Sequence, residues 1–237
     1  MLKVASRIAV IVTAGAAPAT ADVVSVPAQR MATGGGGSPA TMTSTTASTT
    51  AGEEEEGQPQ EALKRVAVSL KRSGLRFALA GGYAAWARGA PEPDHDVDFV
   101  VARDDAEQAY AVLESAGLRV VQPPEDWLFK VFTDGTMVDV TYRINSSPVD
   151  TAVLDRAEEQ EVLSIVMPVL SATDVLTGKL NALDEHYCDY GKLLPVARAL
   201  REQVDWDRVR ADTAENDFAV TGLFLLDRLG ITDQSKV

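Results

Sequence analysis

Hydrophobic and polar positions follow a regular order from about residue 60 onward. Residues 60–73 place apolar side chains at helical spacing and end at a Ser-Gly pair, so they are predicted to form a helix. The run Phe77–Ala80 is short and wholly apolar, which is typical of a buried strand, and Gly81-Gly82 follows it as a turn. Residues 83–88 then predict another helix. The predicted order is therefore helix, strand, glycine turn and helix.

Strands and helices continue through the middle of the chain. A strand is predicted at 97–101, a helix at 104–115 and a strand at 118–121. Two apolar runs at 127–132 and 137–143 come next, and an Asp-Gly pair lies in the connection between them. Because Asp-Gly favours the positive φ angles of a tight turn, these runs are predicted to form a β-hairpin.

The pattern changes near residue 171. Residues 150–163 predict a helix, and residues 165–170 predict a strand broken by Pro168. Ser171 and Asp174 have the spacing of a helix cap. Only helical periodicity follows, in the segments 189–204, 206–214 and 219–229. The sequence thus predicts a mixed α/β (α+β) body followed by a C-terminal helical domain.

The first 60 residues have the composition of a tail. Basic residues followed by an apolar stretch at 8–12 have the layout of a secretory signal, but this stretch is short and far below membrane-spanning length. Residues 34–60 are rich in Gly, Ser, Thr and Glu, which predicts disorder. We expect residues 1–60 to be a tail that begins with a signal-like segment or with a misassigned start of the protein. Residues 61–170 and 171–237 are expected to be two folded parts. The protein is expected to be cytoplasmic and to lack a membrane segment. Export is the alternative.

Composition narrows the classes of function. The 237 residues carry a formal net charge of −13, so unspecific binding to long nucleic acid is disfavoured. Residues 61–237 keep most of this excess, with 19 basic and 30 acidic side chains. The only cysteine is Cys188, which excludes an internal disulfide and a cysteine-based zinc site. We expect Cys188 to be a small buried side chain.

Three acidic residues lie where apolar neighbours predict strands. Asp96 and Asp98 are two residues apart, so their side chains are expected on one face of a strand, and Asp139 lies within the apolar run Met137–Val140. Carboxylates placed side by side repel each other unless protons or cations neutralise them, and Mg²⁺ prefers such ligands. A glycine turn before a helix favours phosphate. Solvated acids on an edge strand and a plain tight turn are the alternatives.

Taken together, these residues resemble a known superfamily. The run from Gly81-Gly82 through Asp96-x-Asp98 to Asp139 is similar to the nucleotidyltransferases typified by DNA polymerase beta. Within them, the Gly-Gly-Tyr-Ala run, the segment 170–179 and the following Asp189 resemble abortive-infection type toxins and aminoglycoside nucleotidyltransferases. Two departures are visible: Gly82 replaces a serine common in the superfamily, and two prolines precede the acid pair.

The resemblance implies a small mixed sheet flanked by helices and a two-metal site. Two Mg²⁺ ions, with Mn²⁺ as an alternative, would be held by Asp96, Asp98 and Asp139, which are also the implied catalytic residues. Asp139 would help to deprotonate the attacking hydroxyl. The implied nucleotide-binding residues are Gly81, Gly82, Lys179 and Asp189.

The implied activity is transfer of a nucleoside monophosphate from an NTP, expected to be ATP, to a hydroxyl with release of pyrophosphate. The acceptor stays open between an RNA end, an antibiotic sugar and a protein. An RNA end, as for a toxin with a partner antitoxin, is preferred because arginines are interspersed among the acids at 198, 201, 208 and 210. A catalytically silent binding module is the alternative from another class. His95 and Arg88 are expected to be structural, and Tyr187 and Tyr190 to pack in the core.

Overall fold

A computed structural model describes residues 58–94, 96–144 and 147–232. The predictions for the tail, including the signal-like start, fall at 1–57 and lie outside the described residues, as does His95. Within the described ranges no helix is long and apolar enough to cross a membrane.

Eight α-helices and nine strands make up the described part of the chain. The helices are α1 Pro59–Ser73, α2 Gly81–Ala87, α3 Ala106–Ser115, α4 Thr151–Asp155, α5 Ala172–Asn181, α6 Tyr190–Leu200, α7 Trp206–Asp212 and α8 Asp217–Arg228. The strands are β1 Phe77–Ala80, β2 Val97–Val101, β3 Arg119–Val121, β4 Leu128–Thr133, β5 Thr136–Thr141, β6 Arg143–Ile144, β7 Ser147–Pro148, β8 Glu158–Val162 and β9 Ile165–Val169.

Seven of the strands form one mixed sheet in the order β3-β4-β5-β2-β1-β9-β8. The β2–β5 and β1–β9 pairs are parallel and the other neighbours are antiparallel. Strand β1 lies in the interior of the sheet and all four of its residues are buried, as its unbroken apolar sequence predicts. The expected fold class, a small mixed sheet flanked by helices and followed by helices only, is confirmed.

The predicted hairpin is present as β4 and β5. Asp134 and Gly135 have φ angles of 51° and 68°, the positive values that a two-residue turn of this kind requires. The predicted cap of α5 is also present, because Ser171 Oγ accepts a hydrogen bond from the backbone N–H of Asp174. Local turn and cap signals thus placed these elements correctly.

Two hydrophobic clusters pack the described residues. The first surrounds the sheet, and the second lies among α5, α6, α7 and α8. Helix α5 contributes to both, with Val175 in the first cluster and Leu176 and Leu180 in the second. The boundary expected between residues 170 and 171 stays a prediction, since α5 joins both clusters.

The helix predicted at 150–163 is wrong. Helix α4 has only five residues, and most of the remaining segment is strand β8. Strand β8 turns into β9 through Leu163 and Ser164 at φ angles of 51° and 64°. Strand β8 is an edge strand whose glutamates are exposed, so it lacks the alternation that marks a half-buried strand. Pro168 does not break β9, because β9 pairs with β1 only at Val169 and the missing N–H is not needed there.

Candidate active site

Two carboxylates lie side by side at the centre of the sheet. Asp98 on β2 is the register partner of Asp139 on the parallel strand β5. Asp96 directly precedes β2, so it stands just outside the strand in which it was expected. All three side chains are partly buried. The structure thus brings together the acids that the sequence singled out.

Charge repulsion and burial act on this group of acids. Burial raises the pKa of Asp98 to about 7, with the negative charges of Asp139 and Asp96 acting in the same direction. Burial also raises the pKa of Asp139, although a hydrogen bond from Lys130 opposes this shift. Such shifts are expected where carboxylates share a site without enough positive charge to balance them.

Gly81 makes room for the Asp98 carboxylate. A Cβ atom built on Gly81 would lie 1.8 Å from Oδ2 of Asp98, which no side chain can tolerate. The φ angle of Gly81 is +59°, in the left-handed region that favours glycine. Residue 81 must therefore be glycine for Asp98 to occupy its place.

Gly82 is required by a different neighbour. A Cβ atom on this residue would lie 2.7 Å from Cβ of Pro93, in the connection between α2 and β2. Both glycines belong to the first turn of α2, so the turn expected before the helix is in fact part of it. The two departures from the superfamily pattern, glycine in place of serine and a proline in this connection, are thus in direct contact.

Two lysines flank the acids. Lys130 on β4 is the register partner of Asp139, and its Nζ lies 2.9 Å from Oδ1 of that carboxylate. Lys179 on α5 is close enough to interact electrostatically with Asp98 and Asp96. Burial lowers the pKa of Lys179, and the two carboxylates oppose this effect. Lys179 therefore lies beside the acids, and its expected contact with the nucleotide stays a prediction.

The side chains present have the donor chemistry that a divalent cation needs. Carboxylate oxygens are the ligands that Mg²⁺ prefers, and a cation would stabilise the charged form of Asp98, whose pKa is raised by burial and by the neighbouring acids. In the described ranges, however, no three His, Cys, Asp or Glu side chains form a group that could hold a metal as they stand. The ion pair with Lys130 engages one oxygen of Asp139. The types of side chain present therefore suit a divalent metal ion, although Lys130 would compete with the ion for one carboxylate ligand.

Comparison with known proteins identifies the family. A family model described as "Uncharacterised nucleotidyltransferase" matches residues 40–226. The chain belongs to this nucleotidyltransferase family. The enzyme class expected from the carboxylates and glycines, a nucleotidyltransferase, is therefore confirmed. No curated protein matches this nucleotidyltransferase significantly.

The solved structures to which the chain is similar include an antibiotic-resistance factor and an antibiotic adenylyltransferase. The solution structure of the antibiotic-resistance factor ANT(2'')-Ia has a TM-score of 0.51 and 14% identity, covering 73% of this nucleotidyltransferase and 100% of that chain. The lincosamide antibiotic adenylyltransferase LnuA, bound to lincomycin, has a TM-score of 0.44 and 10% identity, covering 59% and 95% of the two chains. At 14% identity, the similarity to ANT(2'')-Ia is one of fold.

Asp189 has a local structural role in this nucleotidyltransferase. Its side chain caps helix α6 by accepting a hydrogen bond of 3.1 Å from the backbone N–H of Lys192. The side chain is exposed, so its expected contact with the nucleotide stays a prediction.

Cys188 is exposed too, which corrects the expectation of a buried thiol. Tyr190 is partly buried and donates a hydrogen bond to the Phe218 carbonyl, so it packs beside the second core as expected.

Arg88 holds α2 against the end of the sheet. Its side chain is only 3% exposed, and it donates hydrogen bonds to the carbonyls of Leu170 and Val169 and to Glu158. Gln203 in turn donates to the carbonyl of Arg88. These contacts give Arg88 the structural role that was expected of it. No pattern in the sequence indicated them, because the partners come from distant segments.

Proposed function

We propose that this chain transfers a nucleoside monophosphate from an NTP to a hydroxyl group and releases pyrophosphate, with two Mg²⁺ ions at Asp96, Asp98 and Asp139. The observation that carries the proposal is the Asp98–Asp139 pair in register on parallel strands, with Gly81 shaped around Asp98. When bound, the ions would balance charge on the α-phosphate and on the departing pyrophosphate. A silent binding module would have no use for such a costly cluster of buried charge.

The chain's own residues account for the remaining steps. The acceptor oxygen forms a bond to the α-phosphorus while the bond from that phosphorus to the bridging oxygen breaks, and the acceptor proton passes to Asp139. Lys179, beside Asp96 and Asp98, would contact the triphosphate as a cation. The backbone of Gly81 and Gly82 would approach the same phosphates.

The surroundings favour a small acceptor that carries amino groups over an RNA end. Three of the arginines that suggested RNA are engaged in ion pairs: Arg208 with Asp174 at 2.7 Å, Arg210 with Asp227 at 2.6 Å, and Arg201 with Glu202 at 2.9 Å. Near the site, Glu125 adds negative charge that acts on Asp139. An acidic approach of this kind attracts cationic molecules.

The experiment supplies the protein with Mg²⁺, each α-labelled NTP in turn, and one of three acceptors: an aminoglycoside panel, total tRNA or a cell extract. Label on an aminoglycoside is the expected result. Label on tRNA alone, weakened by salt, would instead favour the toxin-type activity and justify a search for an antitoxin.

Asp98→Asn tests the chemistry independently of the acceptor. This variant should lose at least about a thousand-fold in transfer and lose Mg²⁺-dependent NTP binding measured by calorimetry. Asp104→Asn, an exposed acid on a different segment, is the matched control and should behave as the wild type. Wild-type protein that neither binds any Mg²⁺–NTP pair nor releases pyrophosphate would refute the proposed function.

A further inference from the structure

Lys130 is placed unusually for a lysine. It lies in the apolar strand β4 between Phe129 and Val131, which are buried, and its own side chain is only 18% exposed. Its Nζ lies 2.9 Å from Oδ1 of Asp139, whose side chain is 15% exposed. An ammonium group withdrawn from water to this degree is stable only with a partner, and Asp139 provides one.

The partner of Lys130 is also one of the carboxylates proposed to bind metal. Lys130 reaches beyond Asp139, since its charge also acts on Asp98. A divalent cation within bonding distance of Asp139, at about 2.1 Å, would lie within a few ångströms of the ammonium group. Two cations that close repel strongly in a partly buried site. Lys130 must therefore withdraw from Asp139 before that carboxylate binds metal.

We propose that Lys130 is an internal counter-ion that occupies Asp139 in the metal-free enzyme and competes with the divalent cation for it. This inference rests on the proposed function. Lys130 acts as a positioning residue: it keeps the Asp139 carboxylate aligned and balances its charge in the absence of metal. The metal then binds weakly to the protein alone and tightly only together with a triphosphate, whose negative charge compensates for the ammonium that Asp139 has released.

Three variants separate this role from a structural one. Lys130→Met removes the charge, Lys130→Arg keeps it, and Lys64→Met removes a lysine charge from helix α1. The readout is the affinity of the nucleotide-free protein for Mn²⁺. It is measured by calorimetry and by the electron spin resonance signal of free Mn²⁺. Lys130→Met should bind Mn²⁺ about ten-fold or more tightly than the wild type, because it no longer repels the ion. Lys130→Arg and Lys64→Met should resemble the wild type.

Thermal stability gives a second readout. Without metal, Lys130→Met should melt below the wild type, since Asp139 loses its partner beside Asp98, and Mn²⁺ should raise its melting temperature more than it raises that of the wild type. Lys130→Gln, which keeps a hydrogen-bonding group without charge, replaces the methionine variant if that one is unfolded without metal.

The outcomes distinguish the two proposals. Lys130→Met that binds Mn²⁺ no more tightly than the wild type overturns the counter-ion role and leaves the proposed function intact. Lys130→Arg that gains Mn²⁺ affinity as Lys130→Met does also overturns it, since the charge would then be irrelevant. If the wild type binds no Mn²⁺ with or without a non-hydrolysable NTP, the metal assignment itself fails, and the counter-ion role fails with it.

Discussion

Gly81→Ala should slow transfer at least about a hundred-fold while leaving most of the fold in place. The added Cβ would lie 1.8 Å from Oδ2 of Asp98, whereas ordinary contact begins near 3.4 Å, so the carboxylate must move by the difference of 1.6 Å. A displacement of about 1 Å at a reacting group costs on the order of a hundred-fold in rate. The left-handed φ angle of +59° adds a backbone cost of roughly 1–2 kcal/mol for any L-residue with a side chain.

Gly117→Ala is the matched control for this experiment. Gly117 also has a left-handed φ angle, +82°, but a Cβ atom there meets nothing within 4 Å. The control should therefore lose a similar roughly 1–2 kcal/mol of stability from backbone strain while keeping full activity per folded molecule.

Two assays separate the effects. Urea denaturation gives the free energy of unfolding for Gly81→Ala and Gly117→Ala, and initial rates of pyrophosphate release give their turnover. We expect Gly81→Ala to lose at least as much stability as Gly117→Ala, because the clash with Asp98 adds to its backbone strain. Turnover should fall, at least about a hundred-fold, in Gly81→Ala only. Folded Gly81→Ala that turns over at the wild-type rate would refute the steric argument, as would an equal loss of turnover in Gly117→Ala.

Two further predictions concern stability. Asp98→Asn should be more stable than the metal-free wild type at neutral pH. Because the pKa of Asp98 in the folded protein is raised to about 7, the wild type loses stability as the pH rises from about 4 through 7. Asparagine has no proton to lose, so the variant escapes this loss. Melting temperatures of both proteins between pH 5 and 8 check this, and parallel curves would contradict it. Arg88→Met should lower the free energy of unfolding by about 3 kcal/mol, because it leaves the carbonyls of Val169 and Leu170 without their donor. Arg88→Lys should restore little of this loss in urea denaturation, since an ammonium group cannot reproduce the guanidinium fork, and full restoration would show that charge alone matters.

Sequence reasoning succeeded where the determinants are local. Asp134-Gly135 specified a turn, and Ser171 specified a cap, because each acts through atoms a few residues away. The helix predicted at 150–163 was wrong because strand β8 lies at the sheet edge with exposed glutamates, where its pattern differs little from that of a surface helix. Leu163 and Ser164 also adopt positive φ angles, which neither residue type predicts.

The site was predicted in part. Asp98 and Asp139 were each expected on a strand, and the structure makes these strands neighbours with the two acids opposite each other. Lys130 was missed, although the hairpin turn at Asp134-Gly135 fixes the register and sets residue 130 opposite residue 139. The sequence did contain a signal for Lys130: it is the single charged residue in an apolar strand, and the predicted hairpin places it opposite Asp139.

The contact between Pro93 and Gly82 affects the conformational entropy that is lost when substrate binds. The proline ring fixes its own φ angle, and the absence of a side chain at Gly82 lets that ring pack directly on the first turn of α2. The connection between α2 and β2 is thereby restrained at Pro93 in the free protein. Conformational freedom in this segment is lost once, during folding, and not again each time substrate binds. Restoring a serine at residue 82 would therefore require a smaller residue at 93, and the connection would regain freedom that each round of binding must then remove.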